Sequence, residues 1–321
     1  MPSPRPAARA RLTRGAGHTP PPASGGTPRP GTAGRTSLAS ASVRVPSAVG
    51  KAATVAVRIV ALALIVFFAV GPVLWMVMSS FRPAGELFQP HPSLVPSSMT
   101  LAWYREVSRT SALRWFANSF VVAVCTTAIS LVIGTAAGYA VTRFTFPGRR
   151  ILLACLGISY LFPAILLLVP LYLVLASVGL VGGLAGVVIA HLTITVPVTT
   201  WLMKSFVEAV PKELEEAAWV DGLGYLRGFL RITLPLLRTG LATTALFSYI
   251  LSWDEYLLAS VISQGDNMTA PVGMAGLVTS FDIRWGAIMA LSTLVTIPVL
   301  VLFFVLQRYF EKGLTIGGVK G

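Results

Sequence analysis

The chain has 321 residues, of which 55% are hydrophobic and only 12% are charged, and its formal net charge is +13 at pH 7. A soluble domain ordinarily holds about 25% charged residues, so this composition excludes an ordinary soluble protein and indicates lipid as the solvent. A basic excess of this size can indicate nucleic-acid binding, but the distribution of the charges along the chain argues against a nucleic-acid partner.

The first segment, residues 1–50, is rich in Pro, Gly, Ser, Thr, Ala and Arg and has no hydrophobic periodicity. Such a segment cannot bury enough apolar surface to offset its chain entropy. We therefore expect a disordered basic tail, followed by a transmembrane domain over residues 51–321. The apolar run that follows the tail has the length of a full span, so it does not indicate a cleaved signal peptide.

Six apolar runs follow the tail, and each is long enough to cross a hydrocarbon core of about 30 Å. The third contains Pro163 and Pro170 and the fourth contains Pro197, which membrane helices tolerate because neighbouring groups satisfy the freed carbonyls. The sequence thus predicts an all-α polytopic membrane protein with about six transmembrane helices. The runs lie near residues 57–78, 116–141, 151–175, 184–206, 236–263 and 285–307.

The basic residues predict the orientation of these spans. Lys and Arg concentrate in the cytoplasmic segments of membrane proteins, and an inside amino terminus puts most of them there. Both termini are then cytoplasmic, and so are the segments 207–235 and 308–321. Only five of the 25 basic residues fall on the outer side: Arg82, Arg105, Arg109, Arg114 and Arg284.

The stretch between the fourth and fifth runs is too polar to cross a bilayer, yet it is patterned. Pro211 suits the first turn of a helix over Lys212–Val220, and Asp221-Gly222 supplies a turn before a second helical piece, Tyr225–Ile232. Acidic residues at the start of the first helix suit its dipole, and the alanines after them allow close approach. We expect an exposed, acidic, small-sided helix suited to the cleft of a partner, with Glu213, Glu215, Glu216, Ala217 and Ala218 on it.

This stretch resembles the signature loop of the permease subunits of ABC importers. The resemblance rests on Glu216, Ala217, Ala218, Gly222, Ile232, Leu234 and Pro235, which match the pattern at every fixed position. It implies the type I importer permease fold, in which this loop, here including Glu215 and Asp221, docks in a groove of an ATPase subunit. It also implies a second permease, two ATPase subunits and an extracytoplasmic solute-binding protein as partners, in a bacterial plasma (inner) membrane.

The carboxyl-terminal stretch QRYFEKGLTIGGVKG resembles the tail of carbohydrate-importer permeases of the maltose-transporter type. In that type the tail reaches into the interface of the ATPase dimer, which implies such a role for Gly313, Leu314, Thr315 and Lys320. The loop near residues 263–284 corresponds to one that probes the cleft of the solute-binding protein. A sugar or oligosaccharide is the solute that these resemblances imply.

Three of the polar residues within the apolar runs are candidates for a role in transport. Asp254 and Glu255 fall in the fifth run, where ionisable side chains are costly and often functional, so each is a candidate for the translocation path or for an interhelical contact. Adjacent residues on a helix point about 100° apart, so they would not face one pore together. His191, in the fourth run, is also a candidate for the translocation path, but an interhelical hydrogen bond is the better interpretation than a substrate contact. Gly134 and Gly138 provide a GxxxG-like face for close packing.

Several motifs are absent from the sequence. There is no GxxxxGK[ST] phosphate loop, no HExxH and no G-x-S-x-G, and Cys125 and Cys155 form no CxxC pair. We therefore expect no enzyme activity, metal or cofactor in this chain, with ATP and Mg²⁺ used by a separate ATPase. The alternatives are a permease for another small solute, such as glycerol phosphate or an amino-acid derivative, and an ion-coupled transporter using Asp254 or Glu255. A membrane-embedded enzyme or scaffold is a third.

Overall fold

The computed structural model describes residues 48–321 except 88, 90–92, 94, 279–282 and 318–321, and side chains at 48–53, 160 and 310–317 are not described either. Residues 59–321 form one compact unit. Of residues 1–58, the structure describes only 48–58, the beginning of the first helix. The predicted tail therefore lies outside the described residues, apart from residues 48–50, which are helical.

Within the described ranges the fold is helical, and its β-structure there is limited to two isolated bridges, Gly182–Ser263 and Val278–Ile283. A π-helical segment, Phe229–Thr233, and a 3-10 turn, Gly265–Asn267, complete it. The α-helices are α1 Ala48–Ser80, α2 Ala84–Leu87, α3 Ala102–Arg109, α4 Ala112–Arg143, α5 Arg149–Leu161, α6 Ala164–Ser177, α7 Leu184–Glu208, α8 Lys212–Val220, α9 Tyr225–Gly228, α10 Leu234–Leu236, α11 Arg238–Trp253, α12 Leu257–Ile262, α13 Ala270–Ala275 and α14 Trp285–Gly317.

Four of the described helices, α1, α4, α7 and α14, are long and apolar enough to cross a membrane alone. Two bent pairs raise the number to six when each counts as one span. In the first pair α5 ends before Pro163, which begins α6, because a proline disfavours helical backbone in the residue before it. In the second pair, residues 225–236 meet α11 at 76°. The predicted all-helical polytopic fold is confirmed.

The predicted fifth span is wrong at its carboxyl end. The apolar run over 236–263 is not one helix, because α11 ends at Trp253 and α12 begins at Leu257. Glu255 explains the restart: its carboxylate accepts the backbone N–H groups of Leu258 at 2.8 Å and Ala259 at 3.0 Å. A side-chain acceptor at this place satisfies amides that have no partner within the new helix.

Among the described helices, α4 and α7 form the most extensive contact, and α11 packs on both. Glycines on α4 let the two backbones approach. A Cβ on Gly138 would lie 2.8 Å from the backbone nitrogen of Lys204, and one on Gly134 would lie 2.5 Å from Oγ1 of Thr199. The close packing predicted from these two glycines is confirmed, and it joins α4 and α7 along the part that leads to α8.

Candidate functional site

The hairpin between α7 and α11 begins with α8, whose bounds are those that the sequence predicts. Pro211 precedes it, and Gly222 follows it with φ +87°. The N–H of Gly222 donates to Trp219 O and that of Leu223 donates to Ala218 O, each at 3.0 Å. These two bonds form a Schellman motif, which needs a left-handed residue and so favours glycine. The turn predicted at Asp221-Gly222 is confirmed.

The returning arm of the hairpin runs from α9 through the π-helical segment to α10. Trp219 of α8 lies over it, with its ring 4.6 Å from that of Tyr225 and its indole facing Gly228. π-Helical turns are rare in proteins, and those that occur are often found at functional sites. Of the residues predicted on this arm, Ile232 and Leu234 are half-buried and Pro235 is exposed. We call residues 211–236 the α8 hairpin.

Glu215 corrects the prediction of a wholly exposed acidic helix, because only 1% of its side chain is exposed. Its Oε1 accepts hydrogen bonds from Arg143 Nε at 3.0 Å and from Thr233 Oγ1 at 2.8 Å. Its Oε2 accepts one from Tyr139 Oη at 3.0 Å. A buried carboxylate needs such partners to offset its desolvation, so Glu215 points into the protein, toward α4.

The side of α8 that faces away from α4 is exposed, acidic and small-sided, as the sequence predicts for the helix. Glu213, Glu216 and Ala217 are exposed, as are Asp221 and Gly222 in the turn, whereas Ala218 is buried. Negative charge in the first turns of a helix is favourable, and the small side chain of Ala217 leaves the backbone accessible. The helix thus exposes an acidic surface with a small side chain at Ala217, while Glu215 on its opposite side holds it against the protein.

The other predicted polar residues lie at the break after α11. His191 is buried, with Nδ1 2.8 Å from Ser252 Oγ and Nε2 3.0 Å from Glu255 Oε2. The expected interhelical contact of His191 is therefore present. Asp254 is exposed and takes no part in this cluster. The predicted 100° separation of Asp254 and Glu255 does not apply, because neither residue lies within a helix.

The predicted tail is described only in part. Gly313, Leu314 and Thr315 belong to the last turns of α14, which continues to Gly317. Lys320 lies outside the described residues. The sequence predicts a tail from residue 308, whereas α14 continues to Gly317, ten residues beyond the predicted end of the span at residue 307.

The loop after α12 is held against the start of α4. Asn118 Nδ2 donates to Asp266 O at 2.8 Å and to Met268 O at 2.9 Å, and Ser119 Oγ accepts the N–H of Ala270 at 2.8 Å. Arg114 also pairs with the Asp266 carboxylate. This loop was predicted to meet a solute-binding protein, and the structure shows it anchored to the end of α4 opposite the α8 hairpin.

Sequence reasoning missed the partners of Glu215. Arg143 is the last residue of α4, where it was counted only as a basic residue beside a span, and Tyr139 and Thr233 read as ordinary residues of their segments. The available signal was an arginine at a helix end facing a stretch with three glutamates. In the part of the chain that the structure describes, no group of three His, Cys, Asp or Glu residues could hold a metal ion.

Comparison with known proteins gives the family. A family model described as a binding-protein-dependent transport system inner membrane component matches residues 130–316, which include the α8 hairpin, its partners on α4 and the His191–Glu255 contact. The match covers more than half of the chain.

Curated relatives match over most of their length. The inner membrane ABC transporter permease protein YcjP of Escherichia coli is 35% identical over 264 residues, which are 81% of this chain and 94% of the relative. The diacetylchitobiose uptake system permease protein DasC of Streptomyces coelicolor is 34% identical, over 78% and 91% of the two chains. The trehalose transport system permease protein SugB of Mycobacterium tuberculosis is 34% identical, over 80% and 95%.

Solved structures show the same fold. A chain of a bacterial ABC transporter involved in the import of the acidic polysaccharide alginate aligns with a TM-score of 0.69 and 21% identity, covering 81% of this chain and 97% of that one. A chain of the inward-facing MetNI methionine ABC transporter aligns with a TM-score of 0.52 and 17% identity, covering 67% and 99%. The chain belongs to the family of binding-protein-dependent transport system inner membrane components, and it is a multi-pass membrane permease subunit of the ABC importer type.

Proposed function

We propose that this permease imports a sugar or oligosaccharide and that α8 receives a separate ATPase subunit on its exposed side. We call the exposed residues Glu213, Glu216, Ala217, Asp221 and Gly222 the docking face. The solute class follows the printed functions of relatives, which include uptake of diacetylchitobiose and trehalose. The observation that carries the docking role is the outward face of α8, acidic and small-sided, on a helix whose inward carboxylate is fully partnered.

The complex would hold a second permease, two ATPase subunits and an extracytoplasmic binding protein. ATP and Mg²⁺ would bind to the ATPase subunits, with no cofactor in this chain. Both ends of the chain would be cytoplasmic, and residues 313–315 and Lys320 would approach the ATPase dimer. Closure of that dimer would displace α8, and the spans would change from an inward-open to an outward-open arrangement.

Charge reversal on the docking face tests the proposal. Glu216→Lys should abolish uptake and binding-protein-stimulated ATP hydrolysis in the reconstituted transporter, while the permease still inserts and α8 keeps its buried contacts. Glu216→Asp, which retains the charge, is the matched control and should retain uptake. Normal uptake by Glu216→Lys would reject the docking role.

The solute class has its own test. Purified binding protein from the same transport system should bind a sugar or oligosaccharide, and that sugar should stimulate ATP hydrolysis by the complex. Stimulation by glycerol phosphate or an amino-acid derivative instead would replace the sugar proposal and leave the docking proposal intact. Family membership argues against an ion-coupled carrier that uses Asp254 or Glu255, because members of this family act with a binding protein.

A further inference from the structure

A buried ion pair joins the α8 hairpin to the end of α4. We propose that Arg143 and Glu215 fix the hairpin to α4 so that the two move as one unit, and that α4 carries this displacement to the loop 263–270 at its other end. Arg143 and Glu215 are thus positioning residues for transport. The inference rests on the proposed function, in which an ATPase displaces α8.

The contacts at the hairpin are short and come from three elements. Glu215 of α8 receives hydrogen bonds from Tyr139 and Arg143, both of α4, and from Thr233 of the π-helical segment, at 2.8–3.0 Å. Only 4% of the Arg143 side chain and 1% of the Glu215 side chain are exposed. Water therefore does not compete for these bonds, and α8 cannot shift relative to α4 without breaking several of them.

Arg143 holds a second point of the same hairpin. Its Nη2 donates to the carbonyl of Val210 at 2.8 Å, immediately before Pro211 and α8. One guanidinium thus binds both the approach to α8 and its first turns, in the planar multi-donor geometry that arginine provides. Arg143 also ends α4, where a cation is favoured by the helix dipole.

Helix α4 is long and contains no proline, which suits it to transmit a displacement along its axis. It has 32 residues, so it extends roughly 48 Å at 1.5 Å per residue. Among the four described helices long enough to span alone, α1, α7 and α14 contain Pro72, Pro197 and Pro298, whereas α4 contains no proline. Sharp kinks arise mainly at prolines, so α4 has no proline kink between its two ends.

The amino-terminal end of α4, opposite the α8 hairpin, is also held by hydrogen bonds. The buried side chains of Asn118 and Ser119 bind the backbone of Asp266, Met268 and Ala270. The same helix therefore contacts the hairpin through Tyr139 and Arg143 and the loop 263–270 through Asn118 and Ser119.

A purely structural role for the pair makes a different prediction. Removing one member of a buried ion pair leaves an unpaired buried charge and is strongly destabilising, whereas replacing both by apolar residues is often neutral. If the pair only stabilises the fold, the double apolar variant should transport normally. If the pair ties α8 to α4, the double variant should fold and still fail to couple.

The experiment uses the complete transporter in proteoliposomes. Arg143→Met, Glu215→Met and the double variant are compared with Lys204→Met/Glu208→Met, a control that removes an ion pair within the single helix α7. The readouts are retention of the ATPase subunits on purification, basal ATP hydrolysis, binding-protein-stimulated hydrolysis and uptake. The double variant should retain its ATPase and its basal rate but lose at least about tenfold in stimulated hydrolysis and uptake, within the range of allosteric coupling.

Three results separate the explanations. Recovery of uptake in the double variant to the level of the Lys204/Glu208 control would overturn the inference. Failure of the parent chain to retain any ATPase would instead count against the proposed docking face. A double variant that does not insert is replaced by Glu215→Gln, which keeps the shape of the side chain and should retain ATPase while uptake falls.

A distance measurement on a chain that keeps Arg143 and Glu215 provides an independent check. Cys125 and Cys155 are first replaced by alanine because both are exposed. Spin labels are then placed on cysteines introduced at Lys212 of α8 and Val132 of α4, both exposed, and their separation is compared in nucleotide-free and vanadate-trapped transporter. The separation should stay constant within about 2 Å, whereas a change that approaches the roughly 5 Å of one helical turn would overturn the inference.

Discussion

Glu255 lies between His191 and the start of α12, with Oε2 3.0 Å from Nε2 of the histidine and both carboxylate oxygens accepting backbone amides of α12. One side chain therefore restarts a helix and joins it to α7. The neighbouring Asp254 is exposed and makes neither contact. The two adjacent carboxylates, which the sequence does not distinguish, have different surroundings.

Because their surroundings differ, replacing Glu255 or Asp254 by alanine should affect the stability of the protein differently. Glu255→Ala should destabilise the protein by about 1–3 kcal/mol, because it leaves buried amides and His191 without an acceptor. Asp254→Ala should change stability by less than about 0.5 kcal/mol, as for other exposed positions, while lowering uptake if this carboxylate faces the translocation path. Thermal unfolding in detergent and uptake in proteoliposomes measure the two effects, and equal destabilisation by both changes would contradict this assignment.

The turn of the α8 hairpin predicts a contrast between two glycines. Gly222 has φ +87°, so Gly222→Ala should cost about 1–2 kcal/mol of local stability. Gly224 has φ −72° and no atom near an added Cβ, so Gly224→Ala should be nearly neutral. Hydrogen exchange of the amides after α8 should accelerate in the first variant only, and equal exchange in both variants would show that the Schellman turn does not hold the hairpin.

Replacing glycine by alanine should change the stability of the protein in opposite directions at Gly157 of α5 and Gly138 of α4. Alanine is favoured over glycine within a helix by about 0.5–1 kcal/mol, so Gly157→Ala in α5, with its nearest neighbour at 3.7 Å, should stabilise slightly. Gly138→Ala should instead destabilise by about 1–3 kcal/mol, because the added carbon meets the α7 backbone and overpacks the contact. Midpoints of thermal unfolding measured side by side decide this, and a stabilised Gly138→Ala would show that the two helices are further apart.

Acid should loosen the loop that follows α1. The side-chain and backbone hydrogen bonds from Ser97 lower the pKa of Glu86 below its ordinary value of 4.5. A lowered pKa means that the ionised carboxylate stabilises the folded loop above pH 4.5 and that this contribution disappears as the pH falls through the lowered value. Exchange of the Ser97 amide, corrected for intrinsic rates, should become faster below that pH. In Glu86→Gln this dependence should be absent, and an unchanged profile would contradict the role of the pair.

The local features of the α8 hairpin could be predicted from the sequence because they depend on neighbouring residues. Pro211 and the glutamates mark the start of α8, and Gly222 marks its end. The apolar runs likewise predicted the four spans that are single helices, because length and hydropathy decide which helices can cross a membrane.

The features that could not be predicted depend on distant partners. Arg143 and Glu215 are 72 residues apart, and nothing local distinguishes a buried glutamate from its exposed neighbour Glu216. The break after Trp253 has no proline or glycine to mark it, since a carboxylate capping α12 produces it. Helix α14 also continues to Gly317, through a glycine-containing stretch that the sequence predicts as a tail.

Cross-linking from Ala217 tests the central claim most directly. Cys125 and Cys155 are exposed in the isolated chain, so both are first replaced by alanine, and a single cysteine is introduced at Ala217 or, as the control, at exposed Ser108 of α3. The account predicts that the cysteine at 217 cross-links to the ATPase subunit and reacts with a membrane-impermeant thiol reagent only after permeabilisation, whereas the one at 108 reacts from outside and does not cross-link. Labelling of position 217 from outside the cell, or no cross-link to the ATPase, would contradict the account.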